Sequence, residues 1–254
     1  MTNTVLVTGA SAGAGHAIAR RFAQAGFNVI LAARRLDRLT ALAAHLRETF
    51  QVEAYPLQCD LENHAAVEDL YGKAKAIGFN VLINNAGRGD WDFIWDISLE
   101  ELYAVFDLNA RAVAVLSTLF ARDHRQRDAC LINVASLAGY ELYNAAIPYS
   151  AAKFFVTAFT EGLSHDLALT GSPMRAKLLA PGPIDSEFKA ISTANSRIKN
   201  LNGSGIQAHS AEEIAEFTYQ LYQSEASVGM VDMATMTFQL RDPIHPQGRL
   251  KKSR

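Results

Sequence analysis

A chain of 254 residues and 27.7 kDa has the length of one large α/β domain, which at this size buries roughly 70–75% of its unfolded surface. Its 24 basic and 26 acidic side chains leave a net charge of −2, which gives no argument for a nucleic-acid partner or a membrane surface. No apolar run approaches the ~20 residues of a spanning helix; with only Cys59 and Cys130, both at strand-like positions, the composition predicts a cytoplasmic protein with reduced thiols.

Thr4–Thr8 is short, apolar and β-branched, and Gly9, Gly13 and Gly15 follow before an amphipathic helical pattern that ends near Ala25. Strand, glycine turn and helix aim unpaired backbone N–H groups and a helix dipole at an anion such as pyrophosphate. Gly9 would permit the tight turn, Gly13 the close approach of phosphate, and Gly15 the packing of helix on strand, with Ser11 and Ala12 between them. The spacing is Gly-x-x-x-Gly-x-Gly, not Gly-x-Gly-x-x-Gly. A second strand, Asn28–Ala32, is followed by Arg34 and Arg35, with no acid until Asp37. A carboxylate there would repel a 2′-phosphate, whereas a guanidinium matches it bidentately. Arg34 and Ser11 are therefore the expected phosphate ligands, and Arg35 a stacking plane for adenine.

A helix over Leu36–Phe50 and a strand over Val52–Leu57 lead to Asp60-Leu61 and a helix over Glu62–Ile77, for which Asp60 is placed as N-cap. A fourth strand, Val81–Asn84, runs into Asn84-Asn85-Ala86-Gly87. A capping box, Ser98-Leu-Glu-Glu101, opens a helix over Leu99–Ala121 that contains Asn109. Ser136 closes a fifth strand, Leu131–Val134. Tyr149 and Lys153 follow, four apart and so on one face of a helix running to Leu169. An ammonium beside a phenol favours the phenolate. Bringing tyrosine from ~10 to ~7 takes about 4 kcal/mol, more than one cation supplies. A second cation, the ring of a bound nicotinamide, would meet the difference. Ser136 is suited to donate to a substrate carbonyl, and Tyr149 to act as general acid or base.

A sixth strand, Ala176–Ala180, ends on Pro181-Gly182-Pro183-Ile184-Asp185-Ser186. Residues 186–209 are polar and Gly/Asn/Ser-rich, which reads as a mobile lid. A second capping box at Ser210 opens a helix over Ala211–Gln223, a last strand spans Met230–Phe238, and 248–254 is a frayed basic tail. The alternation predicts one domain over 1–247: a Rossmann-type, doubly wound parallel sheet of about seven strands with helices on both faces.

Thr8–Gly15, Asn84-Asn85-Ala86-Gly87, Asn109, Ser136, Tyr149/Lys153 and Pro181-Gly182, in this order and spacing, resemble the short-chain dehydrogenase/reductase family as far as about Glu187. The resemblance implies a nicotinamide dinucleotide and a catalytic set of Asn109, Ser136, Tyr149 and Lys153. It implies that Lys153 holds the nicotinamide ribose, and that Asn109 kinks its helix and keeps a water linking Lys153 to solvent. Asp60 and Leu61 would meet adenine; Asn84, Ala86 and Gly87 would lie along the cofactor. The Pro181-Gly182 turn, with Ile184 and Ser186, would hold the carboxamide end. Together with the arginines this predicts NADP(H)-dependent interconversion of a ketone or aldehyde and an alcohol. A 3-oxoacyl-carrier reductase and a non-catalytic NADP-sensing regulator stay open. The first commonly has a glycine pair at its last strand, absent here; the second commonly loses the Tyr or Lys that this chain keeps. Trp91, Phe93, Trp95, Tyr140, Tyr143 and Phe188 suit a bulky or aromatic substrate. They suit equally the homodimer or homotetramer contacts that helices Leu99–Ala121 and Tyr149–Leu169 make in the family. His124, His165, His209 and His245 lack metal-ligand spacing, so no metal is expected.

Overall fold

The computed structural model describes residues 3–89, 91–185, 187 and 207–246; the expectations for Ser186, Phe188, most of the 186–209 lid and the 248–254 tail lie outside them. The strands are β1 Thr4–Thr8, β2 Asn28–Ala33, β3 Ala54–Gln58, β4 Val81–Asn84, β5 Cys130–Val134, β6 Arg175–Ala180, β7 Val228–Asp232 and β8 Thr237–Arg241. They form one sheet in the order β3-β2-β1-β4-β5-β6-β7-β8. Every pairing up to β7 is parallel, and β8 returns antiparallel along β7.

That hairpin corrects the single last strand expected over Met230–Phe238, and makes the sheet eight-stranded. The Asp232 carboxylate accepts from Ala234 N (2.8 Å) and Met236 adopts φ 54°, so the chain turns back inside an apolar run.

The helices are α1 Gly13–Gln24, α2 Leu36–Phe50, α3 His64–Ile77, α4 Leu99–Phe106, α5 Ala112–His124, α6 Ile147–Leu169 and α7 Ala211–Gln223. Both capping boxes form, at Ser98 and Ser210. Helix α3 begins two residues later than expected, because Asn63 rather than Asp60 accepts from its first-turn N–H (3.1 Å, Ala66). The helix expected over Leu99–Ala121 is interrupted by a π-helical turn at Asp107–Arg111, which contains Asn109. The continuous stretch Leu99–His124 is long and apolar enough by composition to cross a membrane, but Val105, Leu116 and Phe120 are buried in the protein's own core.

Alternation along the strands builds two cores. Val5, Val7, Val29 and Leu31 face Ile18 and Phe22 of α1, Leu39 and Leu46 of α2, and Ile214 of α7. Leu6, Ile30 and Leu82 face Val67 and Leu70 of α3 and Leu116 and Phe120 of α5. Such doubly covered strands read as continuous apolar runs. Cys59 and Cys130 are free and buried, and burial pushes both thiols up to about 11. One charge is built into the packing: Lys177 is buried on β6 and donates to the carbonyls of Leu221 (3.0 Å), Ser224 (2.5 Å) and Ala226 (2.9 Å), which caps the C-terminus of α7.

Strand order reverses between β1 and β4, and ligands bind such sheets in the crevice beyond the carboxyl ends at that switch. Gly9, Arg34, Asn84, Ser136 and Pro181 all lie at or just beyond the carboxyl ends of parallel strands.

Candidate active site

The glycine loop is held by its neighbours. Gly9 takes φ +70°, Gly13 φ +52°, and Gly9 N donates to Ala32 O (2.8 Å). A Cβ on Gly15 would stand 2.4 Å from Gly9 O, and one on Gly9 2.9 Å from Ala86 Cα, so loop, helix and the β4 exit meet as bare backbone. Thr8 Oγ1 accepts from Asn85 N and Ala86 N (3.0 Å each), and Asn85 Nδ2 donates to Thr8 O (3.0 Å). Ala12 is the N-cap of α1 and no side chain caps that end, so first-turn N–H groups are left for an anion.

Ser136, Tyr149, Lys153, Asn109 and Gly87 converge. Lys153 is buried and Nζ donates to Val134 O (3.0 Å), using one of its three protons. Its Nζ lies 5.7 Å from the centre of the Tyr149 ring. A Cβ on Gly87 would stand 3.2 Å from Asn109 Oδ1 and 3.6 Å from Lys153 Nζ. Asn109 Oδ1 accepts from Arg88 N (2.9 Å) and Nδ2 donates to Arg88 O (2.7 Å), so its amide pins the loop beyond Gly87. Ser136 Oγ accepts from Ala138 N (3.1 Å) at the start of a 3₁₀ turn, Leu137–Gly139. Pro181 O accepts from Leu137 N (3.0 Å), which draws the Pro181-Gly182 turn against this segment.

In the protein alone, without the second cation that the expectation requires, the phenol is not acidic. Burial pushes Tyr149 up to about 12, against a hydrogen bond with Ser136 that lowers it, and burial pushes Lys153 down to about 8. In a dry site desolvation disfavours both charges, and this outweighs what the ammonium offers the phenolate. At neutral pH Tyr149 carries its proton.

At the β2 end the structure reverses the pairing expected for Ser11. Arg35 meets Ser11, through Nε (3.2 Å) and Nη2 (3.1 Å), and Nη1 donates to Glu187 (3.1 Å). Arg34 turns the other way, mostly exposed, to Glu62 at 3.7 Å. Adjacent residues leaving a strand point to opposite sides, and here Arg35 is on the glycine-loop side. The Asn84 side chain also departs from expectation. It is buried and Nδ2 donates to Ser117 Oγ (3.1 Å) and Asn133 Oδ1 (2.9 Å), so it ties β4 to β5 and α5. Asp60 accepts from Glu62 N (3.1 Å), while Leu61 is buried. Ile184 bridges to His209.

Trp91 lies with its ring centre 6.3 Å from that of Tyr149, whereas Phe93 and Trp95 stack at 5.0 Å and stay exposed. The Tyr140 hydroxyl donates to the buried Glu161 carboxylate, whose other oxygen accepts from Ile244 N (2.8 Å) and His245 N (2.7 Å).

Arg38 and Glu161 escaped the sequence reading. Arg38 was accessible, since three residues after Arg35 it shares that helix face. Glu161 had no local signal.

A nicotinamide dinucleotide fits these residues: an uncapped helix start, bare glycine backbone, an arginine–serine pair at the β2 end, and an ammonium with protons to spare beside Gly87. The family model for short chain dehydrogenases matches residues 3–197. Sulfoacetaldehyde reductase 2 of Chromohalobacter salexigens is 33% identical over 233 residues, 87% of this chain and 90% of that protein. Dehydrogenase/reductase SDR family member 11 of Gallus gallus is 32% identical over 191 residues, 72% and 75%. Among solved structures, a short-chain dehydrogenase from Sphingobium yanoikuyae with NADPH superposes with a TM-score of 0.81 at 26% identity, covering 89% of this chain and 86% of that one. A short-chain dehydrogenase/reductase from Burkholderia phymatum with NAD gives 0.75 at 26%, covering 86% and 85%. With the motifs, the sheet order and the converging Ser136, Tyr149 and Lys153 in place, this chain belongs to the short-chain dehydrogenase family.

Proposed function

We propose that the protein is an NADP(H)-dependent oxidoreductase that interconverts a ketone or aldehyde and an alcohol, with Tyr149 moving the proton. The convergence of Ser136, Tyr149 and Lys153 beside the bare backbone of Gly87 carries this reading. Bound along the glycine loop, the cofactor would supply or accept the hydride.

Ser136 would donate to the substrate oxygen and orient it. Tyr149, protonated at neutral pH, is poised to give its proton to that oxygen in reduction, and would need the phenolate in oxidation. Lys153 would hold the nicotinamide ribose, and its charge favours the phenolate. Asn109 would fix the β4 exit beside them, the π turn leaving room for a water between Lys153 and solvent. Trp91 over Tyr149 favours a bulky or planar substrate. Relatives named as reductases support carbonyl chemistry.

For the cofactor, the Arg35–Ser11 pair with Arg38 beside it supports a 2′-phosphate, and Arg34 takes the adenine side. Arg35→Ala should weaken NADPH about ten- to a hundred-fold and NADH far less, the loss typical of a charge-assisted pair. Equal losses, measured by titration calorimetry, would refute the assignment. The activity itself is tested by an NADPH-oxidation screen over diverse carbonyl compounds, run in parallel with NADH. Exposed Leu99, Tyr103 and Phe106 on α4 and Phe155 on α6 support pairing with a second copy, and buried, unreactive thiols suit a cytoplasmic setting.

A further inference from the structure

The phosphate end of the site holds an acid as well as its arginines. Glu187 Oε2 accepts from Arg35 Nη1 (3.1 Å) and Oε1 from Arg38 Nη1 (3.0 Å), and the two guanidiniums hold its carboxyl below the usual carboxylate range. Arg35 turns its other two nitrogens, Nε and Nη2, to Ser11. Ser11, Gly13, Arg38 and Glu187 line one cavity of about 560 Å³. The backbone that delivers Glu187 is anchored two residues earlier: Asp185 N donates to His209 O (2.9 Å) and His209 N to Pro183 O (3.0 Å). His209 is itself buried, with Nε2 3.0 Å from Met236 O.

We propose that Glu187 is a specificity-determining residue: its carboxylate competes with the cofactor's 2′-phosphate for Arg35 and Arg38, and so narrows the preference for NADP(H) over NAD(H). This rests on the NADP(H) reading above. A phosphate of nearly two negative charges needs the same donors and repels a carboxylate among them. The neutral 2′-hydroxyl of NAD(H) leaves both ion pairs intact, and an acid is the group that accepts from it. Each exposed ion pair is worth at most about five-fold in an equilibrium constant; two together set the expected effect at roughly three- to twenty-fold.

The test is calorimetric binding of NADPH, NADH and 2′,5′-ADP to the full chain, as wild type, Glu187→Gln, and Glu187→Gln combined with Arg35→Ala. The Glu187→Gln protein, with an unchanged melting temperature, should bind NADPH and 2′,5′-ADP roughly three- to twenty-fold tighter and NADH within about two-fold of wild type, as expected for losing two exposed pairs. The gain should shrink on the Arg35→Ala background, where only the Arg38 pair remains for Glu187 to contest. Unchanged or weakened NADPH binding in Glu187→Gln, with wild type preferring NADPH, overturns the competition and leaves the cofactor reading standing. A wild type without preference that gains one in Glu187→Gln supports the competition and revises the cofactor reading. No preference in either protein overturns both.

Discussion

Lys153 is a charge held where packing would prefer none. Its pKa falls from 10.5 to about 8 on burial, so between those values the unfolded chain binds more protons than the native one, and stability rises with pH across that window. Below pH 8 the full burial penalty, up to about 3 kcal/mol, is present. Lys153→Met should therefore stabilise the protein at pH 7 by roughly 1–3 kcal/mol while removing activity, and the gain should shrink as pH rises from 8 toward 10.5. Urea unfolding of both proteins at pH 7 and pH 9.5 checks it; a destabilised variant at pH 7 would contradict the account. Under the proposed mechanism the same values set the expected pH dependence of reduction. Tyr149 keeps its proton to about 12, so kcat/KM for the carbonyl should be level through neutrality and fall above pH 8, where Lys153 loses its charge. A rate that climbs through pH 8 would mean that these groups do not govern the step. Ser136, Tyr149 and Lys153 were legible because a strand end and a single helix turn place them. The choice between Arg34 and Arg35 was not, since it depends on which side of β2 faces Ser11, a consequence of sheet twist and the path of α2.

Helix α6 does more than carry Tyr149. Lys153, Thr157 and Glu161 follow at intervals of four on one ridge and bind Val134 O, Gly139 O and the Tyr140 hydroxyl in turn. The ridge clamps the segment that presents Ser136. Gly139 is the contact point: a Cβ there would stand 2.6 Å from Thr157 Cγ2 and 2.8 Å from Lys153 O. Gly139→Ala should destabilise by ~1–3 kcal/mol through overpacking and lower kcat by displacing Ser136. Gly162→Ala, on the same helix with nothing within 4 Å, should stabilise by ~0.5–1 kcal/mol. Thermal unfolding and kcat of the pair separate clamp from helix propensity, and similar behaviour of the two variants would remove the clamp. At this scale the sequence showed most element identities and both capping boxes. The helical period did not reveal the π turn, although the resemblance placed a kink at Asn109 within it. The sequence also hid the β7–β8 hairpin, because Met233-Ala-Thr-Met236 lacks the Gly, Pro or Asn that marks a turn.

Over the whole molecule, the sheet gathers residues from most of the chain to one edge. The order of the motifs was enough to predict that edge, because parallel strands with right-handed crossovers leave few topologies. Lys177 capping α7, Glu161 holding the 244–245 backbone and Glu187 on the arginines were not predictable, since each joins segments more than 40 residues apart. Local patterns locate the site, whereas these long-range charges tie together distant segments. The central claim is that Tyr149 delivers the proton at a site assembled by that edge. Its most direct test is turnover of Tyr149→Phe with NADPH on any carbonyl compound the wild type reduces, alongside the NADPH dissociation constant. The account predicts a loss of about 10²–10⁴ in kcat, the size of a general-acid contribution, with cofactor affinity within about two-fold of wild type. Turnover within a few-fold of wild type would contradict it.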